Sequence, residues 1–167
     1  MKDSFFLVFC FLAIGLPAIA QQGPSNHRPS ILFLCTGNSC RSQMAEGWGR
    51  FLLGKSFDFF SAGILKKGLN PRAVKVMKEA GIDISSQTSK LISELPFQTF
   101  DYVITVCDNA KENCPFQPSK VKMIHHRFDD PPAMEKKEAS EEENLKNYRR
   151  VRDEIREFVK GLPENLK

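Results

Sequence analysis

Cys35 and Arg41, two residues with complementary chemistry, stand at the ends of a short polar turn with five residues between them. A cysteine thiolate is a strong nucleophile, and the planar guanidinium of arginine can hold two oxygens of a tetrahedral anion. Within the turn, Gly37 and Asn38 are residue types that tolerate the positive φ angles needed for amides that face inward. The pattern predicts a nucleophile in an oxyanion-binding loop. The alternative is a buried cysteine and an unrelated surface arginine.

The elements on either side of this turn favour the first interpretation. Residues 31–34 are four consecutive apolar residues, as in a buried parallel strand, and residues 43–48 are compatible with a helix. At such a junction the free N–H groups and the helix dipole attract an anion and favour the thiolate form of Cys35. Ser42 is placed to donate a hydrogen bond to that thiolate. The predicted oxyanion-binding residues are Thr36, Gly37, Asn38, Ser39, Cys40, Arg41 and Ser42.

The composition indicates a single globular domain. The chain has 167 residues, of which 41% are hydrophobic and 26% are charged, and its formal net charge is +4. This length is sufficient for a substantial hydrophobic core. The mild positive charge suits a small anionic ligand, and no cluster of Lys and Arg is interleaved with aromatic residues. We therefore predict one domain over residues 31–167 that binds no nucleic acid.

The first twenty residues have the pattern of a secretory signal. Charged residues at positions 2 and 3 precede an apolar stretch that ends in Ala-Ile-Ala at Ala20. The stretch is short for a membrane span, so we predict cleavage, a polar tether over residues 21–30, and an exported or periplasmic protein with no stable membrane span. An uncleaved membrane anchor and a cytoplasmic location remain open.

Four cysteines follow the predicted signal, namely Cys35, Cys40, Cys107 and Cys114. Disulfide bonds are the usual role of cysteines in exported proteins, but a domain of this length can fold without them. The cysteine spacing does not match a structural zinc site, so we predict no metal. Because thiolates exchange with disulfides, a chain of three thiols can carry two oxidising equivalents from an active site to the surface. A static disulfide between Cys107 and Cys114 is the alternative.

Alternating strand and helix patterns predict an α/β fold with an open, mainly parallel four-stranded sheet and helices on both faces. The predicted strands are residues 31–34, 57–61, 100–106 and 121–125, and the predicted helices are residues 42–53, 71–80, 86–95 and 145–162. We predict that the charged segment 133–143 is a mobile surface loop and that segment 108–113 is flexible enough for Cys114 to reach Cys107.

Three reactive side chains follow predicted strands. Cys35, Cys107 and Asp130 lie beyond the carboxyl ends of their strands, where open parallel sheets bind their ligands. A carboxylate at that edge can protonate a leaving oxygen as a general acid. Asp129 competes for this role, and we prefer Asp130 because Pro131 stiffens the backbone immediately after it.

From about residue 31 to residue 162 the chain resembles the thioredoxin-coupled arsenate reductases, which share the fold of the low-molecular-weight tyrosine phosphatases. The resemblance covers nearly the whole predicted domain and is highly specific. It rests on the motifs Cys-Thr-Gly-Asn-Ser-Cys-Arg-Ser-Gln-Met-Ala-Glu-Gly (35–47), Ser-Ala-Gly (61–63), Gly-Ile-Asp-Ile-Ser (81–85), Val-Ile-Thr-Val-Cys-Asp (103–108), Cys-Pro (114–115), Phe-Asp-Asp-Pro (128–131) and Arg-Val-Arg-Asp-Glu-Ile (150–155).

The resemblance implies a reaction and a role for each catalytic residue. Cys35 would attack arsenate while Arg41 and the loop amides hold its oxygens and Asp130 protonates the leaving oxygen. Cys107 would then attack Cys35 and release arsenite, and Cys114 would attack Cys107. The resulting Cys107–Cys114 disulfide would be reduced by thioredoxin or an equivalent dithiol. No cofactor is implied, phosphate would be a weak competitor of arsenate, and we expect a monomer.

One departure from the resemblance concerns a potassium ion. Some relatives hold this ion with residues that match Asn38, Glu46 and Ser61 and with an acidic residue where this chain has Lys90. Because an ammonium group repels a cation, we predict that no potassium binds and that Lys90 replaces it. A second departure is the signal, since an exported copy would be separated from cytoplasmic thioredoxin.

Two other functions remain open. A tyrosine phosphatase on the same fold would use the same loop, but Pro132, Ala133 and Met134 follow Asp-Pro where such enzymes commonly have aromatic residues. In a phosphatase the Cys107/Cys114 pair would also have no role. A non-catalytic oxyanion-binding protein, stapled by those two cysteines, is the alternative from a different class.

Overall fold

The computed structural model describes residues 28–96 and 99–166. Its centre is a sheet of four parallel strands in the order β2-β1-β3-β4. The strands are β1 (Ser30–Cys35), β2 (Asp58–Gly63), β3 (Tyr102–Thr105) and β4 (Lys122–His125). The predicted α/β fold with a parallel four-stranded sheet is confirmed. The predicted signal and most of the tether, residues 1–27, lie outside the described residues.

Five helices accompany the sheet in the described part of the chain. They are α1 (Arg41–Leu53), α2 (Pro71–Glu79), α3 (Asp108–Glu112), α4 (Glu141–Lys160) and α5 (Leu162–Asn165). Helix α1 packs against β2 and α4, and α3 packs against β1 and β3. Within residues 28–96 and 99–166 no helix is both long enough and apolar enough to cross a membrane.

Strand β1 is the centre of the core and carries the reactive turn at its carboxyl end. All six of its residues are buried, because β2 and β3 flank it and helices cover it. Ile31, Leu32, Phe33 and Leu34 have no exposed surface, as expected for a parallel strand buried on both faces. The apolar run in the sequence therefore fixes the position of the turn that follows it.

The segment 86–95, predicted as a helix, is not one. Only a single 3₁₀ turn forms, at Ile92–Glu94, because the backbone before it bonds to other parts of the fold. The amide of Lys90 donates to the Asn38 side chain at 2.7 Å, and its carbonyl accepts from the amide of Gly63 at 2.8 Å. The Thr88 carbonyl accepts from the Gln43 side chain at 3.0 Å. These long-range bonds replace the bonds that a helix would form.

Two segments predicted to be mobile or flexible contain regular structure over part of their length. Helix α4 begins at Glu141 rather than Leu145, because Ser140 and Glu143 form a capping box at its start. Asn144 then accepts from the amide of Lys136 at 2.9 Å and anchors the preceding segment. The predicted flexible connection between Cys107 and Cys114 contains the short helix α3.

Candidate active site

A cavity of about 340 Å³ opens at the carboxyl end of β1. It contains most of the side chains that the sequence predicted to bind an oxyanion, together with the preferred general acid. Its walls are Cys35, Thr36, Gly37, Ser39, Cys40, Arg41, Lys67, Asn70, Asp130 and Pro132. Asn38 and Ser42, also predicted, are fully buried and do not line the cavity. We call residues 35–42 the anion loop.

The Cys35 sulfur lies among hydrogen-bond donors of its own loop. The backbone amide of Asn38 donates to Sγ at 3.1 Å, and the Ser42 hydroxyl lies 2.9 Å from Sγ, as predicted. Asn38 has φ of 43°, the left-handed conformation expected for a loop that turns its amides inward. Donors aimed at a sulfur stabilise its charged form, so the geometry suits a nucleophilic thiolate.

A buried network holds the anion loop from below, and the Asn38 side chain is its centre. Its amide nitrogen donates to the hydroxyls of Ser42 at 3.0 Å and Ser61 at 2.8 Å. Its amide oxygen accepts from the Lys90 backbone at 2.7 Å and from the Gln43 side chain at 3.0 Å. The side chain thus ties the loop to β2, α1 and the segment after α2, with all of its hydrogen-bonding capacity used.

Next to this network is a buried carboxylate. Glu46 is 1% exposed, accepts a short hydrogen bond from Ser61, and pairs with Arg50 at 2.5 Å. The Lys90 ammonium lies 3.8 Å from the same carboxylate. Two side-chain cations therefore already compensate the single buried charge.

These residues do not fit a potassium ion. An added cation would meet the Lys90 ammonium and would compete for the Asn38 oxygen that two N–H groups already occupy. Across the described residues, no group of three or more His, Cys, Asp or Glu side chains is placed to hold a metal.

Arg41 and Asp130 form an ion pair in the lining of the cavity. One guanidinium nitrogen lies 3.1 Å from the Asp130 carboxylate, and the other donates to the Phe128 carbonyl at 3.1 Å. Asp129 instead pairs with Arg150 of α4 at 2.9 Å. The structure therefore places Asp130, and not Asp129, beside the anion loop, and Arg41 is oriented by two acceptors.

Cys40 lines the cavity but differs from Cys35. It is 4% exposed, and burial, reinforced by the nearby Asp130 carboxylate, raises the pKa of its thiol. A thiol in such surroundings stays protonated and is a poor nucleophile. This environment does not favour a redox step at Cys40.

The segment after β2 runs beside the anion loop and bonds to its carbonyl groups. This segment, residues 64–70, was not predicted to be part of the site. Four backbone N–H groups donate to four loop carbonyls: Ile64 to Cys35 at 3.2 Å, Leu65 to Thr36 at 2.7 Å, Lys67 to Gly37 at 3.1 Å, and Asn70 to Ser39 at 2.9 Å. Parallel pairing of β1 and β2 brings the two segments together, which is the signal that would have identified Lys67 and Asn70.

Cys107 lies at the edge of the anion loop. Its sulfur is 3.3 Å from the Thr36 hydroxyl, which also donates to the Asn109 side chain at 3.2 Å. The residue is 5% exposed and immediately precedes α3. Thr36 thus joins the loop that holds Cys35 to the segment that holds Cys107.

Asp108 anchors the start of α3 on its other side. Its carboxylate lies 3.3 Å from His125 Nε2 and 3.3 Å from Arg127 Nε. The other ring nitrogen of His125 is 2.9 Å from the Thr105 hydroxyl. Sequence reasoning missed this cluster, because no short-range pattern connects Asp108 with residues at the end of β4.

Cys114 lies outside the cavity lining and is partly buried. Burial raises the pKa of its thiol. Cys35, Cys40, Cys107 and Cys114 are all free thiols in the described structure, so the alternative of a static Cys107–Cys114 disulfide is not what the structure contains.

Comparisons with known proteins agree with this geometry. Residues 30–167 match the family described as low molecular weight phosphotyrosine protein phosphatase. A protein named arsenate reductase, from Halalkalibacterium halodurans, is 53% identical over 137 residues, which cover 82% of this chain and 96% of that protein. The structure titled "An arsenate reductase in the phosphate binding state" has TM-score 0.63 and 31% identity, and the match covers 83% of this chain and 99% of that one. A low molecular weight protein tyrosine phosphatase from T. tengcongensis has TM-score 0.64 and 28% identity, covering 82% of this chain and 99% of that one.

Proposed function

The chain belongs to the low molecular weight phosphotyrosine protein phosphatase family, and from this premise we propose that it is an arsenate reductase that uses a three-thiol relay. The observation that carries the proposal is the contact between Cys107 and the Thr36 hydroxyl at the edge of the anion loop. A hydrolase needs one nucleophilic thiol in that loop, whereas a reductase needs a second thiol beside it. The similarity to proteins named arsenate reductase supports the same choice.

The first step forms a bond between sulfur and arsenic. The Cys35 thiolate attacks arsenate, and one arsenic–oxygen bond breaks as Asp130 protonates the departing oxygen. Arg41 and the loop amides hold the remaining oxygens, which carry the negative charge. The geometry supports these roles, because the three side chains line one cavity.

The second step transfers two electrons to arsenic. The Cys107 thiolate attacks the Cys35 sulfur, a disulfide forms between them, and the sulfur–arsenic bond breaks. The bonding pair stays on arsenic, so arsenic(V) becomes arsenic(III) and leaves as arsenite. The two cysteines together lose the two electrons that arsenic gains.

The third step restores the nucleophile. Cys114 attacks Cys107, which frees the Cys35 thiolate and leaves a Cys107–Cys114 disulfide. Helix α3 lies between these two cysteines, so it must rearrange for the sulfurs to meet. A dithiol, thioredoxin or its equivalent, then reduces the disulfide and takes the oxidising equivalents.

Single substitutions of the three cysteines test the proposal. We expect Cys35→Ser, Cys107→Ser and Cys114→Ser each to abolish dithiol-dependent arsenate turnover. If Cys107→Ser and Cys114→Ser retain full arsenate turnover, the relay is wrong. Mass spectrometry of the Cys114→Ser protein after arsenate treatment should reveal a trapped Cys35–Cys107 disulfide, which wild-type protein should not accumulate.

A tyrosine phosphatase is the second candidate, because Cys35, Arg41 and Asp130 alone suffice to hydrolyse a phosphate ester. Hydrolysis of an aryl phosphate by wild-type protein separates the candidates. A phosphatase would need Cys35 only and would hydrolyse the ester equally well with Cys107→Ser. A non-catalytic oxyanion-binding protein would turn over neither substrate.

The compartment and the assembly state are further parts of the proposal. We propose an exported monomer whose mature chain begins at Gln21, on the signal pattern of the first twenty residues. N-terminal sequencing of the protein purified from its own cells tests the cleavage site. An N-terminus at Met1 would favour an anchored or cytoplasmic protein, and light scattering measures the mass in solution.

A further inference from the structure

We propose that Lys67 is the second cation of the oxyanion site and that it gives the site its affinity for tetrahedral oxyanions of charge −2. The inference rests on the proposed function, since it concerns the same cavity. Lys67 lines that cavity together with Cys35 and Arg41. The residue lies outside the motifs that predicted the anion loop.

The backbone of Lys67 is held in register with the loop. Its amide donates to the Gly37 carbonyl at 3.1 Å, and two residues earlier the Leu65 amide donates to the Thr36 carbonyl at 2.7 Å. Lys67 therefore starts from a fixed point beside the loop. A long side chain that starts from a fixed backbone loses fewer conformations when it reaches an anion.

Gly37 provides the space through which the Lys67 side chain passes. A Cβ atom at Gly37 would lie 2.8 Å from Lys67 Cδ and 3.0 Å from Cγ, so the Lys67 side chain would have to shift. Gly37 is not among the described glycines with positive φ, which are Gly68 and Gly81. Glycine therefore leaves room for this path of the Lys67 side chain, whose aliphatic part covers the loop.

The charge of Lys67 is available for a ligand. In the described ranges 28–96 and 99–166 its ammonium group has no carboxylate partner, whereas the neighbouring Lys66 pairs with Glu94 at 2.7 Å. Arg41, the other cation of the cavity, already shares its charge with Asp130 at 3.1 Å. Lys67 thus adds a positive charge that is not shared with a carboxylate.

Charge balance gives Lys67 a specific effect. With Cys35 as thiolate and Asp130 protonated for its role as general acid, the charge of Arg41 is cancelled and the cavity is neutral. Lys67 makes the cavity net positive before the anion enters, which favours a doubly charged anion. Its attraction acts equally on the bound substrate and on the transition state, so it should lower KM and leave kcat nearly unchanged.

Three variants test the role in binding. Lys67→Gln should raise the KM for arsenate about fivefold and change kcat by less than about twofold, as expected for one exposed charge. Lys67→Arg should keep the wild-type KM. Lys66→Gln is the matched control, because it removes the same charge from the adjacent position, and it should keep both constants. Equal effects of Lys66→Gln and Lys67→Gln would overturn the proposal, as would an unchanged KM in Lys67→Gln.

A binding measurement separates this inference from the proposed function. Inorganic phosphate should protect Cys35 from alkylation by iodoacetamide, a neutral reagent, with an apparent Kd about fivefold higher in Lys67→Gln than in wild type or Lys66→Gln. Raising the ionic strength should reduce that difference. If protection depends on Lys67 while arsenate is not reduced, the inference stands and the proposed function fails. Protection that is independent of Lys67 would refute the inference.

Discussion

The anion loop and the segment from Cys107 to Cys114 meet at Thr36, but the protein holds them in place by different means. Four backbone hydrogen bonds and the buried Asn38 network fix the loop. Helix α3 has one buried residue, Ala110, and its polar contacts are made by exposed side chains near its start.

This difference matches the two tasks of the proposed reaction. Binding and attack need donors that are already in place, because preorganised dipoles stabilise charge without reorganisation. The thiol relay requires the sulfurs of Cys107 and Cys114 to meet, although helix α3 separates them. This helix must therefore open at low energetic cost. A protein that fixed both regions equally well would hold arsenate and fail to regenerate its nucleophile.

We expect the largest effect from a substitution that disrupts the anion loop. Asn38→Ala should lower the free energy of unfolding by about 2–4 kcal/mol, because it leaves several buried groups unpaired and places alanine at a positive φ. Urea denaturation measures the change. Asn109→Ala, which removes an exposed amide from helix α3, is the control and should cost less than about 0.5 kcal/mol. Similar losses in the two variants would contradict the comparison.

Disulfide formation in the segment from Cys107 to Cys114 should depend on pH. Burial raises the pKa of Cys114, so at neutral pH its thiol is protonated, and only the thiolate attacks Cys107. We expect the rate of Cys107–Cys114 disulfide formation to rise about tenfold per pH unit from pH 7 to pH 8. Rapid acid quench of single-turnover reactions, followed by mass spectrometry, measures that rate. A rate that stays flat over this range would show that Cys114 deprotonation is not limiting.

A smaller effect should follow from loosening the start of α3. Asp108→Asn weakens the contacts with His125 and Arg127, and we expect Cys107–Cys114 disulfide formation to accelerate about twofold to fivefold, since each exposed contact is weak. Glu112→Gln, which also removes a carboxylate from α3, should leave the rate unchanged. A slower rate in Asp108→Asn would mean that the anchor positions Cys107 for exchange rather than restraining the helix.

The smallest expected effect is none at all. Replacing sodium with potassium should leave arsenate turnover unchanged, because the Lys90 ammonium lies 3.8 Å from the buried Glu46 carboxylate. Steady-state assays at constant ionic strength test this. Lys90→Asp exchanges the ammonium for an acidic group and should make turnover respond to potassium. A marked activation of the wild-type protein would show that Lys90 does not replace the ion.

The parts that sequence predicted well are those encoded locally. The strand, turn and helix around Cys35 are contiguous, so apolar patterning and turn chemistry sufficed to place them. The start of α4 was also encoded locally, in Ser140 and Glu143, but the surrounding run of charges suggested a loop. Residues 86–95 and the cluster around Asp108 depend on partners distant in sequence. Lys67 was missed for the same reason, since only strand pairing brings it to the cavity.

The paired backbones of residues 64–70 and the anion loop restrict how this protein can vary. Four donors meet four acceptors in order, so inserting or deleting one residue between Gly63 and Asn70 would shift every later pair. Gly63 allows no larger residue either, because an added Cβ would lie 2.7 Å from the Asn38 amide nitrogen. Changes in segment length are therefore excluded here, and a protein engineer who seeks a different selectivity must exchange side chains at constant length.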